Sequence, residues 1–420
     1  MCWLVDLGNQ RREPASRLTP CLFRSYGQYS QHATPRKVIV MYEIKHFPYD
    51  GTVDADGHVL EPAWLWERYL ERQYVDRAIR IKTDDQGLEY LELDGRPSER
   101  TVKGVLGLMG AMGDETARPS PERRYMDHVP YGAGDAAERV ALLDKEHLEA
   151  SLLYPTIHLL WECEVTDPEI SLAYCRAYNR WIADFCRDTG GRLVPIAHLT
   201  LLDPEGSAVE LKRAVADGCK GGWVAPFTHT RKGHGHPDHD PLWRAAVELD
   251  VPIAIHPTYE PLWSIPVRFD KLGRPGEFHY NVTLRQGVQQ AFLTFLDYGT
   301  LDRFPTLRLG ILESGMGWLG PFLDRCDAVF ETISGRAVPI QSKPSEIFGR
   351  QCFISGDPDE TAAPLLFEHV GTHLFMWATD YPHPDHPSTW VDALSRQVTG
   401  LSERTRAAFL GDNVRRIYKL

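Results

Sequence analysis

The stretch Thr52–Pro62, TVDADGHVLEP, opens on a short apolar alternation and carries Asp54, Asp56 and His58 two residues apart. A β-strand sets side chains at that spacing on one face. Seven more apolar runs follow: ASLLYPT (150–156), LVPIAHLTL (193–201), KGGWVAPF (220–227), VPIAIHPT (251–258), LRLGILESG (307–315), CFISGDPD (352–359) and LFMWATDYP (374–382). Most are continuous rather than alternating, which suits strands buried on both faces of a parallel sheet. Between them lie stretches of helical spacing at 167–188, 204–218, 241–249, 283–299, 316–333 and 387–397. Asp203 before Pro204 reads as an N-cap with proline in the first turn. Eight strands alternating with helices predict an α/β fold, a (β/α)₈ TIM barrel. An open doubly wound sheet is the competitor, but no Gly-rich phosphate loop follows any of these strands.

The gap after the first strand is too long for one connection. AIRIKTDDQGLEYLELDG (78–95) alternates about a DDQG turn and predicts a β-hairpin. The Gly-, Pro-, Met- and Arg-rich residues 96–132 predict an extended loop. The insertion, about residues 63–132, leaves from the C-terminal end of the first strand and so covers the barrel mouth. Residues 41–420 are expected to form one domain. Residues 1–40 are Arg-rich and acid-poor, as in a transit peptide, but show no amphipathic pattern; they read as a disordered extension, or as an early start with Met41 the true one.

Of 420 residues, 46 are basic and 58 acidic, a net charge of -12. That balance argues against nucleic acid as a partner, which needs clustered Lys and Arg. No apolar run approaches the roughly 18 residues of a membrane span. The eight cysteines include no CxxC pair and read as reduced thiols of a cytoplasmic protein.

A barrel concentrates reactive groups where strands end and loops begin. Those ends carry Asp56 and His58 (first strand), His158 (just past the second), His198 (third), His256 (fifth), Glu313 (sixth), Asp357 (seventh), and Asp380 with His383 (eighth). Buried charge needs a partner or a metal. Asp56, His58, His256 and Asp380 would give a divalent ion two nitrogens and two carboxylates, leaving a position for water or substrate. Asp54 lies one pleat deeper and reads as a hydrogen-bonding support. A rival His-rich tract, THTRKGHGHPDHD, holds His229, His234, His236 and His239; it reads as a polar loop over the barrel mouth.

DADGHVLEP, VPIAIHPT, ILESGMGWLGPFLDRCD and WATDYPHPDH, in this order, resemble the amidohydrolase-related family. This branch of the amidohydrolase superfamily includes aminocarboxymuconate-semialdehyde, resorcylate and carboxyvanillate decarboxylases. The likeness spans roughly residues 50–418. It implies a barrel with one divalent ion, Zn or Mn, held by Asp56, His58, His256 and Asp380. No lysine ends the fourth strand, where binuclear relatives carry a bridging one. Asp56 stands where many members have His, which hardens the site toward Mn²⁺. Glu313 stands where the decarboxylases have a sixth-strand His.

The expected function is a metal-dependent carboxy-lyase acting on a small aromatic or conjugated acid. Glu313, Asp380, His158 and His383 are the candidate catalytic groups, and His198, His229 and Trp318 the candidate substrate-binding ones. The alternatives are a metal-dependent hydrolase of an ester, lactone, amide or C–C bond, and a non-catalytic barrel used for binding. The expected partners are a small-molecule substrate and a second copy of the chain, in a homodimer or larger assembly.

Overall fold

A computed structural model describes residues 43–265, 278–283, 285–332 and 335–420; the expectation for residues 1–40 lies outside them. Eight parallel strands form the barrel. They are β1 (Val53–His58), β2 (Ala150–Tyr154), β3 (Leu193–Pro195, resuming after Ile196 as Ala197–His198), β4 (Gly222–Val224), β5 (Ile253–Ile255), β6 (Leu309–Ile311), β7 (Cys352–Gly356) and β8 (Phe375–Trp377). Pairing runs β1–β2–β3 and then from Ala197–His198 through β4 to β8. The ring closes just past β8, where Asp380 N–H donates to the Asp56 carbonyl at 2.9 Å and His58 N–H to the Tyr381 carbonyl at 2.7 Å.

Helices follow the strands in the order the spacing predicts, including Pro168–Cys186, Pro204–Ala216 and Asp240–Leu249. Asp167 and Asp203 cap the first two through the N–H groups of Glu169 and Gly206, satisfying donors that a helix start leaves free. The barrel interior alternates bulk with space. Trp223, Ala254, Gly310 and Phe353 are neighbours across β4 to β7. A Cβ on Gly310 would lie 2.5 Å from the Phe353 ring, so the bare glycine makes room for the phenylalanine. A second apolar shell joins the outer faces of the strands to the helices.

Strand β1 departs from regular alternation. Val53 and Asp54 pair with Ala150 and Ser151, but Gly57 and His58 pair with Leu153 and Tyr154, so β1 holds one extra residue. Val53 and Ala55 pack in the barrel interior. Asp54 instead accepts from Ser151 Oγ (3.0 Å), Thr379 Oγ1 (2.8 Å) and Thr379 N–H (2.9 Å), on the side where Arg139 reaches in from the helix Ala136–Glu146. Asp54 therefore does not share a face with Asp56 and His58, contrary to the spacing. Gly57 fills the crowded bend, where a Cβ would meet Ser151 Oγ, Arg139 Nη2 and Asp54 Oδ2 at 2.5–2.7 Å.

Between β1 and the helix Ala136–Glu146, Arg80–Thr83 pairs antiparallel with Glu89–Leu93. Asp84 ties the turn by accepting from Gln86 and Leu88 N–H, and Gly87 takes φ +85°. A short third strand, Arg96–Pro97, extends this sheet. Among the described residues no helix is long and apolar enough to cross a membrane.

Candidate metal centre and substrate cavity

Asp56, His58, His256 and Asp380 meet at the C-terminal mouth of the barrel, all fully or almost fully buried. His58 Nε2 lies 2.8 Å from Asp380 Oδ1 and 3.5 Å from Asp56 Oδ1. His256 Nε2 lies 3.5 Å from the same Asp56 oxygen and 3.4 Å from Glu313 Oε2. The opposite ring nitrogens fix the tautomers. His58 Nδ1 sits 2.6 Å from the Pro155 carbonyl and His256 Nδ1 2.7 Å from the Pro257 carbonyl. A carbonyl only accepts, so each Nδ1 carries a proton and each Nε2 is the inward nitrogen left to bind a cation.

These inward atoms have no hydrogen-bond partner: both Asp56 carboxylate oxygens, His58 Nε2, His256 Nε2 and Asp380 Oδ1. Buried polar atoms are rarely left so, and atoms of these types gathered around His58 fit a cation. Among the described residues, Asp56–His58–His256, His58–Asp380–His383 and Glu313–Asp385–His386 each place ligand atoms within 4.8 Å of one another. Two imidazoles with two carboxylates suit a divalent ion on the zinc-to-manganese range.

Without a cation the charges offset one another. Burial disfavours the His256 imidazolium, but Asp56 and Glu313 raise its pKa to about 9. Burial also opposes the Asp380 carboxylate, yet His386, His383 and His58 hold it well below the usual range. Burial, with Asp380 nearby, pushes the Glu313 carboxyl well up. Glu313 and Asp380 both sit at positive φ, +40° and +54°, a strained backbone for residues with a Cβ and one that functional sites tend to retain.

Beside the centre lies a cavity of about 230 Å³. Glu313, His383 and Asp385 form its polar floor, and Thr156 bonds His383 Nε2 at 3.0 Å from the wall. Leu159, Leu160 and Tyr259 line its sides, and Val102, Val105, Leu108, Met109 and Pro119 roof it from the long connection after β1. His383 stands over His58, ring centroids 4.1 Å apart, with Nδ1 3.1 Å from Asp380 Oδ2.

Four sequence candidates stand elsewhere. His158 Nδ1 meets His198 Nδ1 at 2.9 Å, and His198 Nε2 meets Glu162 at 2.9 Å. His198 is stacked on Trp223 at 3.8 Å. His229 binds the Glu162 carbonyl, and Trp318 Nε1 the carbonyls of its own turn, Ser314 and Gly315. None of the four lines the cavity. In the His-rich tract, His234 and His239 bond the Ala225 and His234 carbonyls; no metal-type group among the described residues uses them. Sequence reasoning passed over His386, Asp385 and Arg285. His386 had a signal, since it repeats the three-residue step Asp380–His383–His386 within WATDYPHPDH. Its Nδ1 lies 2.6 Å from Asp380 Oδ2 and its Nε2 3.2 Å from Asp357, which Arg285 holds at 3.1 Å.

Residues 160–420, more than half the chain, match the family model described as Amidohydrolase. The chain belongs to the amidohydrolase family. It is similar to a gamma-resorcylate decarboxylase of Rhodococcus jostii (strain RHA1), 25% identical over 300 residues, 67% of this chain and 87% of that one. It is also similar to the decarboxylase orsB of Emericella nidulans, 30% identical over 223 residues, 50% of this chain and 64% of that protein. The barrel superposes on an amidohydrolase from Mycobacterium avium subsp. paratuberculosis with a TM-score of 0.71 at 20% identity, covering 88% of this chain and 99% of that one. A 5-carboxyvanillate decarboxylase from Novosphingobium aromaticivorans, crystallised with manganese, gives 0.60 at 18% identity, covering 90% and 100%. These structural likenesses establish the barrel fold.

Proposed function

We propose that this amidohydrolase-family chain is a cytoplasmic, metal-dependent carboxy-lyase that removes carbon dioxide from a small aromatic acid without oxidation. The carrying observation is a set of buried ligand atoms without hydrogen-bond partners, at Asp56, His58, His256 and Asp380, beside a small apolar cavity with Glu313 and His383 on its floor. The four donors would hold a divalent ion. Bound there, the ion supplies Lewis acidity to a substrate oxygen next to the carboxylate.

The chain's own residues supply the rest. Leu159, Leu160 and Tyr259, under the roof of Leu108 and Met109, flank a planar ring and exclude water. At about 230 Å³ the space is below the roughly 300 Å³ at which drug-sized sites begin, which selects a single-ring acid. Decarboxylation needs one proton at carbon as the bond to the carboxylate breaks and carbon dioxide leaves. Burial, with Asp380 nearby, pushes the Glu313 carboxyl up from the usual carboxylate range, toward the form that can give a proton. Burial disfavours charge on His383, but Asp380 raises its pKa as well. Glu313 is therefore assigned as the proton donor, with His383, fixed by Thr156 and Asp380, orienting the leaving carboxylate. The relatives named as decarboxylases support the same reading. Self-association into a homodimer belongs to this proposal, with exposed Leu262, Trp263, Phe278 and Val282 as candidates for its apolar contact.

The test is a panel of hydroxybenzoic acids with manganese-reconstituted protein, following carbon dioxide and the decarboxylated ring together. One-to-one release is expected. Turnover of esters or lactones with no carbon dioxide from any acid would refute the lyase reading.

A further inference from the structure

We propose that Glu61 is a positioning residue that aligns the metal centre and the cavity floor through one turn of backbone. Glu61 follows closely on His58 in GHVLEP, is fully buried, and reaches across to the turn after β2. There its Oε2 accepts the N–H groups of Thr156 (3.0 Å) and Ile157 (2.9 Å), and its Oε1 accepts that of His158 (3.1 Å). Burial disfavours the charged carboxyl, and backbone N–H groups rather than a basic side chain favour it. A buried carboxylate spent wholly on one stretch of backbone fixes where that stretch lies.

The turn hands two atoms to the site. The Pro155 carbonyl, next to the first bonded N–H, accepts from His58 Nδ1 at 2.6 Å, which leaves Nε2 facing Asp380 and Asp56. The Thr156 hydroxyl meets His383 Nε2 at 3.0 Å, while His383 Nδ1 faces Asp380. Leu159 and Leu160 continue from the same turn into the cavity wall. His58 ends β1 and His383 lies past β8, yet both rings are set by atoms of adjacent residues, and one carboxylate holds those residues. An amide of the same shape offers one acceptor oxygen and turns an NH₂ group toward the third N–H. A carboxylate is therefore what the turn requires. The His58 arm stands on geometry alone. The use of the His383 arm rests on the proposed function, although its placement does not.

The experiment compares Glu61→Gln and Thr156→Val with the unaltered full chain. Mn²⁺ affinity is measured by titration after chelation. The His383 ring is followed by nitrogen NMR of histidine-labelled, Zn²⁺-loaded protein, its signal assigned by loss in His383→Gln. Neither readout needs a substrate. Glu61→Gln should weaken Mn²⁺ binding by about 10–100-fold, as when the support of a ligand is lost, and shift the His383 Nε2 resonance. Thr156→Val should shift that resonance and leave Mn²⁺ affinity unchanged. With any acid the chain turns over, both variants should lower kcat, and the double variant should lose no more than Glu61→Gln alone. A merely structural carboxylate would lower the denaturation midpoint and leave affinity and resonance in place, which overturns the proposal. Should Glu61→Gln not fold, Glu61→Asp, with the charge kept and the reach shortened, takes its place; if neither folds, the role is structural and the proposal fails. No Mn²⁺ on the unaltered chain overturns the His58 arm along with the metal centre. No turnover of any acid, with affinity and resonance moved as expected, refutes the lyase and leaves the positioning role standing.

Discussion

Two buried histidine–carboxylate clusters lie near one another in this barrel and differ in one respect. In the cluster of His58 and His256, each Nδ1 proton is spent on a backbone carbonyl, so each Nε2 is left bare and faces carboxylates. In the cluster of His158, His198 and Glu162, the rings bond each other and then the carboxyl, which Thr200 also holds. The first has its capacity left over at one point; the second consumes most of it internally. A histidine's use is thus decided by what its other nitrogen does, which residue type and strand position do not disclose.

The contrast can be broken by experiment. Asp380→Asn or His256→Ala should remove metal binding and lower kcat/KM by at least about 10³-fold; metal analysis with full occupancy and activity retained would collapse the distinction. Glu313→Gln should keep the metal and lower kcat by about 10²–10⁴, the range for a lost general acid; an unchanged kcat would remove Glu313 from the chemistry. His198→Ala should leave the metal bound. It should cost about 2–5 kcal/mol of stability, as for a large buried side chain, read as a lower denaturant midpoint.

The second cluster also predicts a pH dependence of stability. Burial, countered in part by Thr200, raises the Glu162 carboxyl to about 7. The folded state then holds a proton that the unfolded chain gives up near 4.5, so this contribution is lost as pH rises through that window. At 1.36 kcal/mol per unit the slope sums to about 3 kcal/mol. Glu162→Gln should flatten it in denaturation midpoints taken from pH 4.5 to 7; an unaltered slope would place the titration elsewhere. The smallest effect expected on the metal comes from His229→Ala, with occupancy unchanged because His229 reaches only the Glu162 carbonyl.

Much of this was legible in the sequence. The strands were, because burial on both faces leaves continuous apolar runs, and so was the placing of His58, His256 and Asp380 at strand ends. The direction of Asp54 was not. Regular alternation puts it beside Asp56, whereas β1 carries one extra residue after Asp54 and Asp54 is held by Ser151 and Thr379, 97 and 325 residues away. Trp318 reads as a substrate contact from its place after Glu313, but its indole N–H turns back on Ser314 and Gly315. His386 was within reach by its repeat, but its pairing shows only through Asp357, a partner just past β7.

The cavity's roof and floor have separate origins. Val102, Val105, Leu108, Met109 and Pro119 come from one continuous segment, while the donors come from the ends of β1, β5, β6 and β8. Reaction and selectivity can therefore drift independently. A lineage that rewrites some twenty residues of that segment changes its diet without retooling, and a laboratory graft of the same segment should carry substrate preference with it.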